Sequence, residues 1–282
     1  MSCIEVMNKS DPHTAEVMPR PLEGRRIGIS ISESDDLPAL GLGNEIVNGL
    51  TVDLARRLIA LGASVVLGHN WRTGGVMEAV ARFALSYKSQ SGPTEQPLIF
   101  NYLAFPDEPS LSESDRKELE SIVSVRTIRW TDCEPDIFRA FGEASRPIDF
   151  GQYGKRIIVD LAKSSPQDLR RGFDLAAMRF TLTQKCDTHL VIGGRTMDYQ
   201  GFAPGIIEEA WWTILFGKKL VVCSGMGGAA GAIIAPDSPQ AEKVMSDDFH
   251  PLAGAYLNDL YSSAPSVVSE LSVEAILISL VG

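Results

Sequence analysis

Two adjacent carboxylates at the start of a predicted helix are the residues of this sequence best suited to chemistry. Glu208 and Glu209 follow Pro204 and Gly205. Proline is favoured in the first turn of a helix because the N–H that it lacks has no intrahelical partner there, so we predict that a helix starts at Pro204. A carboxylate in this turn can hold ribose hydroxyls or act as an acid or base beside a phosphate site. The alternative is that both glutamates are helix-terminal charges, favoured by the helix dipole and without chemistry.

The same helix lies between two glycine-rich turns, each of which follows a short apolar run. The runs at residues 188–192 and 219–223 are typical of buried strands, and each ends in glycines before a helix-like segment. Such turns lie at the carboxyl ends of parallel strands, where backbone N–H groups and a helix N-terminus favour an anion such as phosphate. The candidate ligand contacts in this part of the chain are Gly193, Gly194, Arg195, Gly205, Glu208, Gly225, Gly227 and Gly228.

A similar strand, turn and helix occur earlier in the chain. Residues 63–67 are predicted to form a strand, and a glycine pair opens the helix that follows. Arg72 in this turn can bind a phosphate through two hydrogen bonds, and His69 can contact a ribose or base; the alternative is that both are solvent-facing loop residues. Trp71 can stack on a base, although we expect it to cover the core. The candidate ligand contacts here are Arg72, Gly74 and Gly75.

These repeated units indicate the fold class. Further strand-like runs lie at residues 25–32, 97–105 and 123–130. Strands that alternate with helices predict an α/β fold with a doubly wound, mainly parallel sheet and helices on both faces. The strands before Gly74 and Gly193 would then lie side by side, and the turns at Gly74, Gly193 and Gly227 would meet in one crevice. Ser30, on the first strand, is a further candidate ligand contact.

The order of these motifs resembles one known superfamily. The sequence contains, in this order, GGR, a loop, APGIIEEA, the apolar strand KKLVVCS and GMGGAAG. This order resembles that of the SLOG superfamily, the Rossmann-like group that includes DprA and the LONELY GUY phosphoribohydrolases. GGVM at residues 74–77 is similar to the second half of the GGGxxGLM element of the latter family. Within the superfamily the chain looks most like the branch associated with prokaryotic defence and nucleotide signalling. The resemblance implies that the α/β fold is Rossmann-like.

Two residues take candidate catalytic roles from this resemblance. GIIEE at residues 205–209 is similar to the GTxxE part of the LONELY GUY signature PGGxGTxxE, which places Glu209 on the position that is catalytic there. Met178 and Arg179 stand close to the place of the MHxRK motif, whose arginine works with that glutamate. This chain has Ile206 where that family has threonine, and a longer loop after the glycine pair. Arg179 is therefore a candidate phosphate or ribose contact, the alternative being a charge on a helix surface.

The resemblance implies two functions. The first is the binding of a nucleotide or nucleotide-derived small molecule, as a sensor or signalling component that reports to an effector protein. The alternative is a phosphoribohydrolase that cleaves a nucleoside 5′-monophosphate to free base and ribose 5-phosphate. In that reaction Glu209 would stabilise an oxocarbenium-like centre or activate water, and Arg179 would assist. Oligomers are common in the superfamily, so we also expect a homo-oligomer.

Composition narrows the class of protein and of partner. The formal net charge of −10 argues against duplex nucleic acid, whose binding usually needs a broad basic surface. We expect a cytoplasmic protein without a membrane partner, because the chain has neither an apolar run of membrane-spanning length nor a signal peptide. We expect no metal and no cofactor, because cysteines and histidines show no ligand spacing. The cysteines are Cys3, Cys133, Cys186 and Cys223.

The domain organisation follows from where the strand and helix patterns begin and weaken. Residues 1–24 are polar and contain several prolines, which indicates a flexible N-terminal arm. Residues 25–282 are expected to form a single SLOG-like domain. Within it the pattern is weak at residues 131–166, where we expect an insertion. Residues 232–282 are expected to form a helical wrap.

Overall fold

Seven strands form one sheet in the computed structural model, which describes residues 20–91, 96–143, 166–246 and 251–282. The strands are β1 Arg26–Ser32, β2 Ser64–Leu67, β3 Ile99–Ala104, β4 Val123–Ile128, β5 Thr188–Gly193, β6 Lys219–Cys223 and β7 Ser266–Val268. The helices of the described segments are α1 Glu45–Ala60, α2 Val76–Ser91, α3 Glu113–Leu119, α4 Trp130–Glu143, α5 Pro166–Gln184, α6 Gly205–Leu215, α7 Gly228–Ile234, α8 Pro239–Met245, α9 Pro251–Tyr261 and α10 Val273–Val281. None of these helices has the length and apolar character that crossing a membrane requires.

All neighbouring strands of the sheet run parallel, in the order β4-β3-β2-β1-β5-β6-β7. Along the chain, β2, β3 and β4 are added in turn on one side of β1, and β5, β6 and β7 are then added in turn on its other side. The strand order therefore reverses between β1 and β5, the place where open α/β sheets bind their ligands. The predicted α/β, Rossmann-like fold with a parallel sheet is confirmed.

Two apolar cores lie on the two faces of this sheet. Leu190 and Ile192 of β5 point into one core, with the buried residues of α1, α2 and α10. Val191 points into the other core, with the buried residues of α5, α6, α7 and α9. Alternate residues of a strand face opposite sides, so a strand that is covered on both sides is apolar throughout. This explains why β5 is a continuous apolar run in the sequence.

One predicted neighbour relation is wrong. The strands before the glycine turns at Gly74 and Gly193 are β2 and β5, and β1 lies between them. β1 pairs with β2 through Arg26 to Ile29 and with β5 through Ile27 to Ser32. Because the chain crosses over after β4, the turns that follow β2 and β5 flank the end of β1 and are not adjacent.

Two stretches contain elements that the sequence pattern did not indicate. Residues 130–143, most of which were assigned to an insertion, form helix α4, with Cys133 and Ile137 buried against the sheet. Residues 144–165, the rest of that insertion, lie outside the described residues, as do residues 1–19 of the predicted arm. The C-terminal stretch expected to be helical also contains β7, which pairs with β6 and extends the sheet.

Candidate functional site

A cavity of about 590 Å³ opens at the carboxyl end of β1, between the loops that follow β2 and β5. Its walls include Ser30 and Ser32 of β1, Arg179 of α5, and Gly205 and Glu209 of α6. The cavity lies where the strand order reverses, and its volume falls within the range of about 300–1,000 Å³ that small-molecule sites occupy. We call this space the first cavity.

The Glu209 carboxylate is held at the wall of the first cavity by three polar side chains. The Ser30 hydroxyl donates a hydrogen bond to Oε2. His189 Nε2 lies 3.5 Å from Oε2, and Arg179 Nε lies 3.9 Å from Oε1. Burial acts to raise the pKa of Glu209, but the contacts with His189, Arg179 and Ser30 outweigh it, so the pKa is lowered. With its side chain 11% exposed, Glu209 presents an ionised acceptor to the cavity.

His189 of β5 is fully buried directly behind this carboxylate. Its Nε2 lies 2.8 Å from Ser30 Oγ, and its Nδ1 lies 3.1 Å from Thr213 Oγ1. The Thr213 hydroxyl donates to the Glu209 carbonyl oxygen at 2.7 Å, so it accepts from His189 Nδ1–H. A Cβ on Gly28 would come within 2.9 Å of the imidazole, so glycine in β1 makes room for the ring. His189 thus orients both Ser30 and Glu209.

Arg179 is buried, which excludes the alternative of a charge on a helix surface. Its Nη1 donates to Glu208 Oε2 at 2.6 Å, and its Nη2 donates to the Gln200 carbonyl at 3.2 Å. A Cβ on Gly205 would lie 2.8 Å from Nη2, so this glycine leaves space for the guanidinium. Arg179 therefore lies between two glutamates, one inside the protein and one at the cavity.

Glu208 is buried beneath the first cavity and is not part of its wall. Burial raises the pKa of Glu208, against the opposing effect of the Arg179 charge and hydrogen bond. Its ion pair with Arg179 fixes the guanidinium beside Glu209. We therefore assign Glu208 to positioning Arg179, whereas the sequence suggested a direct contact with the ligand.

Helix α6 begins at the wall of the first cavity. Pro204 is its N-cap residue, one position from the predicted start. Its carbonyl accepts from the amides of Ile207 and Glu208, each at 3.0 Å. Helix geometry leaves the preceding amides, of Gly205 and Ile206, without an intrahelical acceptor, and both residues line the cavity. Such a helix N-terminus favours an anion.

The glycine turns after β5 and β6 do not line the first cavity, contrary to the sequence-based expectation. A Cβ on Gly193 would lie 2.5 Å from the Ser32 carbonyl oxygen, and one on Gly225 would lie 2.7 Å from a backbone nitrogen. The Gly194 amide donates to the Ser32 carbonyl at 3.1 Å, and the Gly194 carbonyl accepts from Ala229 at 2.9 Å. These glycines allow the turns to pack against one another, and the amides of Gly194, Gly227 and Gly228 already donate to acceptors of the protein.

Carboxylates of the loop between β1 and α1 occupy the positions where anions were expected. Asp36 Oδ2 accepts from the Gly228 amide at 2.7 Å, at the N-terminus of α7, and a Cβ on Gly227 would collide with the same carboxylate. Asp35 accepts from the Thr196 amide at 3.1 Å. Sequence reasoning missed this role, although a run of acidic residues in a long loop beside glycine turns is a signal for it.

A further contact from this loop closes the wall of the first cavity. Glu33 pairs with Arg195 at 2.7 Å, and both residues line the cavity. The pair is about half exposed, so its energetic contribution is small, but it directs the guanidinium toward the cavity. Arg195 therefore lies at the wall of the cavity and already has a carboxylate partner.

The family model described as SLOG cluster2 matches residues 21–272 of the chain. The chain belongs to the SLOG cluster2 family. This confirms the resemblance to the SLOG superfamily, and membership associates the chain with the binding or processing of nucleotide-related ligands. No curated protein matches the chain.

In this SLOG protein, the predicted contacts after β2 lie around a second cavity of about 350 Å³. Arg72 and Gly75 line it, whereas the Gly74 amide donates to the Glu78 carboxylate at 2.6 Å. Trp71 is buried, and its Nε1 donates to Asn101 Oδ1 at 2.8 Å, so it covers the core as expected. The first cavity, by contrast, brings together five candidates: Ser30, Arg179, Arg195, Gly205 and Glu209.

Proposed function

We propose that this SLOG protein binds a nucleotide or nucleotide-derived small molecule in the first cavity. The observation that carries the proposal is the ionised Glu209 carboxylate one helical turn from the amides of Gly205 and Ile206. Carboxylate oxygens accept hydrogen bonds from ribose hydroxyls, and helix N-terminal amides donate to phosphate. A sugar phosphate is complementary to this pair of acceptors and donors. Arg195 supplies a guanidinium to the same phosphate.

Calorimetric titration tests this proposal. The titrants are the four ribonucleoside 5′-monophosphates and their 3′,5′-cyclic forms, and the proteins are the wild type and Glu209→Gln. A hydrogen bond to a charged group contributes about 1.5–3 kcal/mol, so we expect the variant to bind about tenfold to a hundredfold more weakly. Glu242→Gln is the matched control, because Glu242 is an exposed residue of α8 that does not line the cavity, and it should bind as the wild type does. Absence of nucleotide binding, or equal affinity for Glu209→Gln, contradicts the proposal.

A second candidate function is hydrolysis of the N-glycosidic bond of a nucleoside 5′-monophosphate. The lowered pKa of Glu209 favours it, because a carboxylate must be ionised to stabilise positive charge at C1′. In this reaction the bond between C1′ and the base nitrogen breaks, the electron pair leaves with the base, and water supplies a hydroxyl to C1′ and a proton to the base. Chromatography of the reaction mixture detects the free base. Base released by the wild type and not by Glu209→Gln supports the hydrolase; tight binding without product supports the sensor.

A further inference from the structure

The second cavity adjoins the first. Gly68 and His69, at the end of β2, and Leu175 and Met178, on α5, belong to the walls of both. Because these residues border both spaces, a ligand in the first cavity can extend over them into the second. A mononucleotide bound in the first cavity does not need the second cavity, which adds about 350 Å³ of space. The space is therefore available to an additional part of the ligand.

Negative charge predominates in the first cavity. Among the described residues, three carboxylates line it, from Glu33, Asp198 and Glu209, against two guanidiniums, from Arg179 and Arg195. Both guanidiniums already form ion pairs with glutamates. The first cavity thus suits hydroxyl groups and at most one phosphate at the start of α6.

Four arginines of the described residues line the two cavities, and the one without an ion pair, Arg72, lies in the second cavity. The Arg72 side chain is exposed there and forms neither an ion pair nor a hydrogen bond with any residue in the described part of the chain. Its neighbour Arg171 is already engaged, with Asp107 at 2.6 Å and with the Ala104 carbonyl at 2.9 Å. An anionic group of a ligand therefore gains most from the Arg72 guanidinium, which can bind a phosphate through two hydrogen bonds.

We propose that the ligand is a nucleotide joined to a second anionic moiety, and that Arg72 binds this moiety in the second cavity. The proposal rests on the proposed binding of a nucleotide in the first cavity. The sugar of the nucleotide lies at Glu209, the connecting part passes over Met178 and His69, and the second anionic group reaches Arg72. The class includes dinucleotides linked through a diphosphate and nucleoside diphosphates that carry a sugar.

The test compares ligands of different reach on three proteins. The ligands are the nucleoside 5′-monophosphates, the matching 5′-diphosphates and the matching dinucleoside 5′,5′-diphosphates, titrated by calorimetry. The 5′-diphosphates add a second phosphate group alone, and the dinucleoside diphosphates add a second phosphate group and length. The proteins are the wild type, Arg72→Ala and Arg126→Ala. Arg126 is the matched control because it is an exposed arginine of β4 that lines neither cavity. Thermal unfolding of each variant establishes that it is folded.

We expect the wild type to bind a dinucleoside diphosphate at least about tenfold more tightly than the monophosphate, since a charge-assisted contact is worth about 1.5 kcal/mol or more. Arg72→Ala should lose this advantage and keep the monophosphate affinity, whereas Arg126→Ala should keep both. Equal affinity of the wild type for the two ligands, or an advantage that persists in Arg72→Ala, overturns this inference and leaves the proposed function intact. Failure of the wild type to bind any of the ligands removes both.

Discussion

At the scale of single residues, Glu209 determines how the site responds to pH. Its carboxylate has one hydroxyl donor, Ser30, and lies beside His189 and Arg179. These contacts hold the pKa of Glu209 below its ordinary value of 4.5 although burial acts in the opposite direction. The folded protein therefore stabilises the ionised form of Glu209. As the pH falls, this carboxyl group takes up a proton in the unfolded chain before it does so in the folded protein.

The lowered pKa of Glu209 predicts how the stability of the protein depends on pH. The contribution of a group with a lowered pKa is present above its unfolded pKa and is lost as the pH falls through its folded pKa. We expect Glu209→Gln to lower the free energy of unfolding at about pH 7 by roughly 1–3 kcal/mol, because the substitution removes the negative charge beside Arg179 and His189 and keeps only one oxygen acceptor. The difference between wild type and variant should shrink below about pH 4.5. Denaturant titrations at a series of pH values measure it, and a difference that grows in acid contradicts the assignment.

Of the three residues around this carboxylate, Ser30 and Arg179 were candidates from the sequence and His189 was not. Glu209 and Arg179 were candidates because a motif and a helix start marked them. The sequence did not mark His189 as a candidate, since a lone histidine in an apolar strand carries no signal of its own. Its position opposite Gly28 in the neighbouring strand explains its role, and that register is a tertiary property.

At the scale of elements, the glycine turns serve close packing. Gly194 has a φ of +90°, and a Cβ there would lie 2.5 Å from Ile206 Cγ1. We expect Gly194→Ala to lower the free energy of unfolding by about 1–3 kcal/mol through backbone strain, with the collision adding to it. Gly231 is the matched control: it lies within α7 with open space around its Cα, so Gly231→Ala should raise stability by about 0.5–1 kcal/mol. Equal effects of the two substitutions in chemical denaturation would contradict this role.

A second prediction concerns the start of α7. Asp36 accepts hydrogen bonds from the Gly228 amide and from Gln240 Nε2, at 2.7 and 2.9 Å. We expect Asp36→Ala to cost about 0.5–2 kcal/mol, as removal of a helix cap does. Asp53→Ala is the comparison, because Asp53 pairs with Arg57 on the exposed side of α1 and should cost less than about 0.5 kcal/mol. Denaturant midpoints of the two variants measure the difference, and an Asp36→Ala midpoint equal to that of the wild type would exclude the capping role.

Most strands and helices could be predicted from the sequence, and their arrangement could not. The runs that became β5 and β6 are apolar, short and bounded by glycines, so local pattern suffices to find them. Local pattern does not say which strand lies beside which, so the position of β1 between β2 and β5 was missed. Helix α4 was missed because Pro135 lies inside it, and proline argues against a helix interior.

At the scale of the whole molecule, exposed apolar side chains at the β7 end of the sheet support the proposal of a homo-oligomer. Ile278 of α10 is 74% exposed, and Val267 of the edge strand β7 is 50% exposed. Burying such side chains against a second copy removes apolar surface from water. Light scattering should give a multiple of the monomer mass, and Ile278→Asp should reduce it. A monomer at concentrations of roughly 10 μM or above contradicts the proposal.

The distribution of charge over the molecule fits a small ligand better than a polymer of phosphates. The net charge is −10, and in the described part of the chain the positive charge near the sheet switch point comes from single arginines, most of which have carboxylate partners. A protein that binds nucleic acid through several phosphates requires several uncompensated cations. Local groups such as the α6 N-terminus and Glu209 are enough for one nucleotide.

The most direct test of this account is the crystal structure of the protein with the nucleotide that binds it most tightly. We expect the ribose hydroxyls within hydrogen-bond distance of the Glu209 carboxylate and a phosphate on the amides of Gly205 and Ile206. A nucleotide bound outside the first cavity, for example on the turn at Gly227 and Gly228 in place of Asp36, would contradict it.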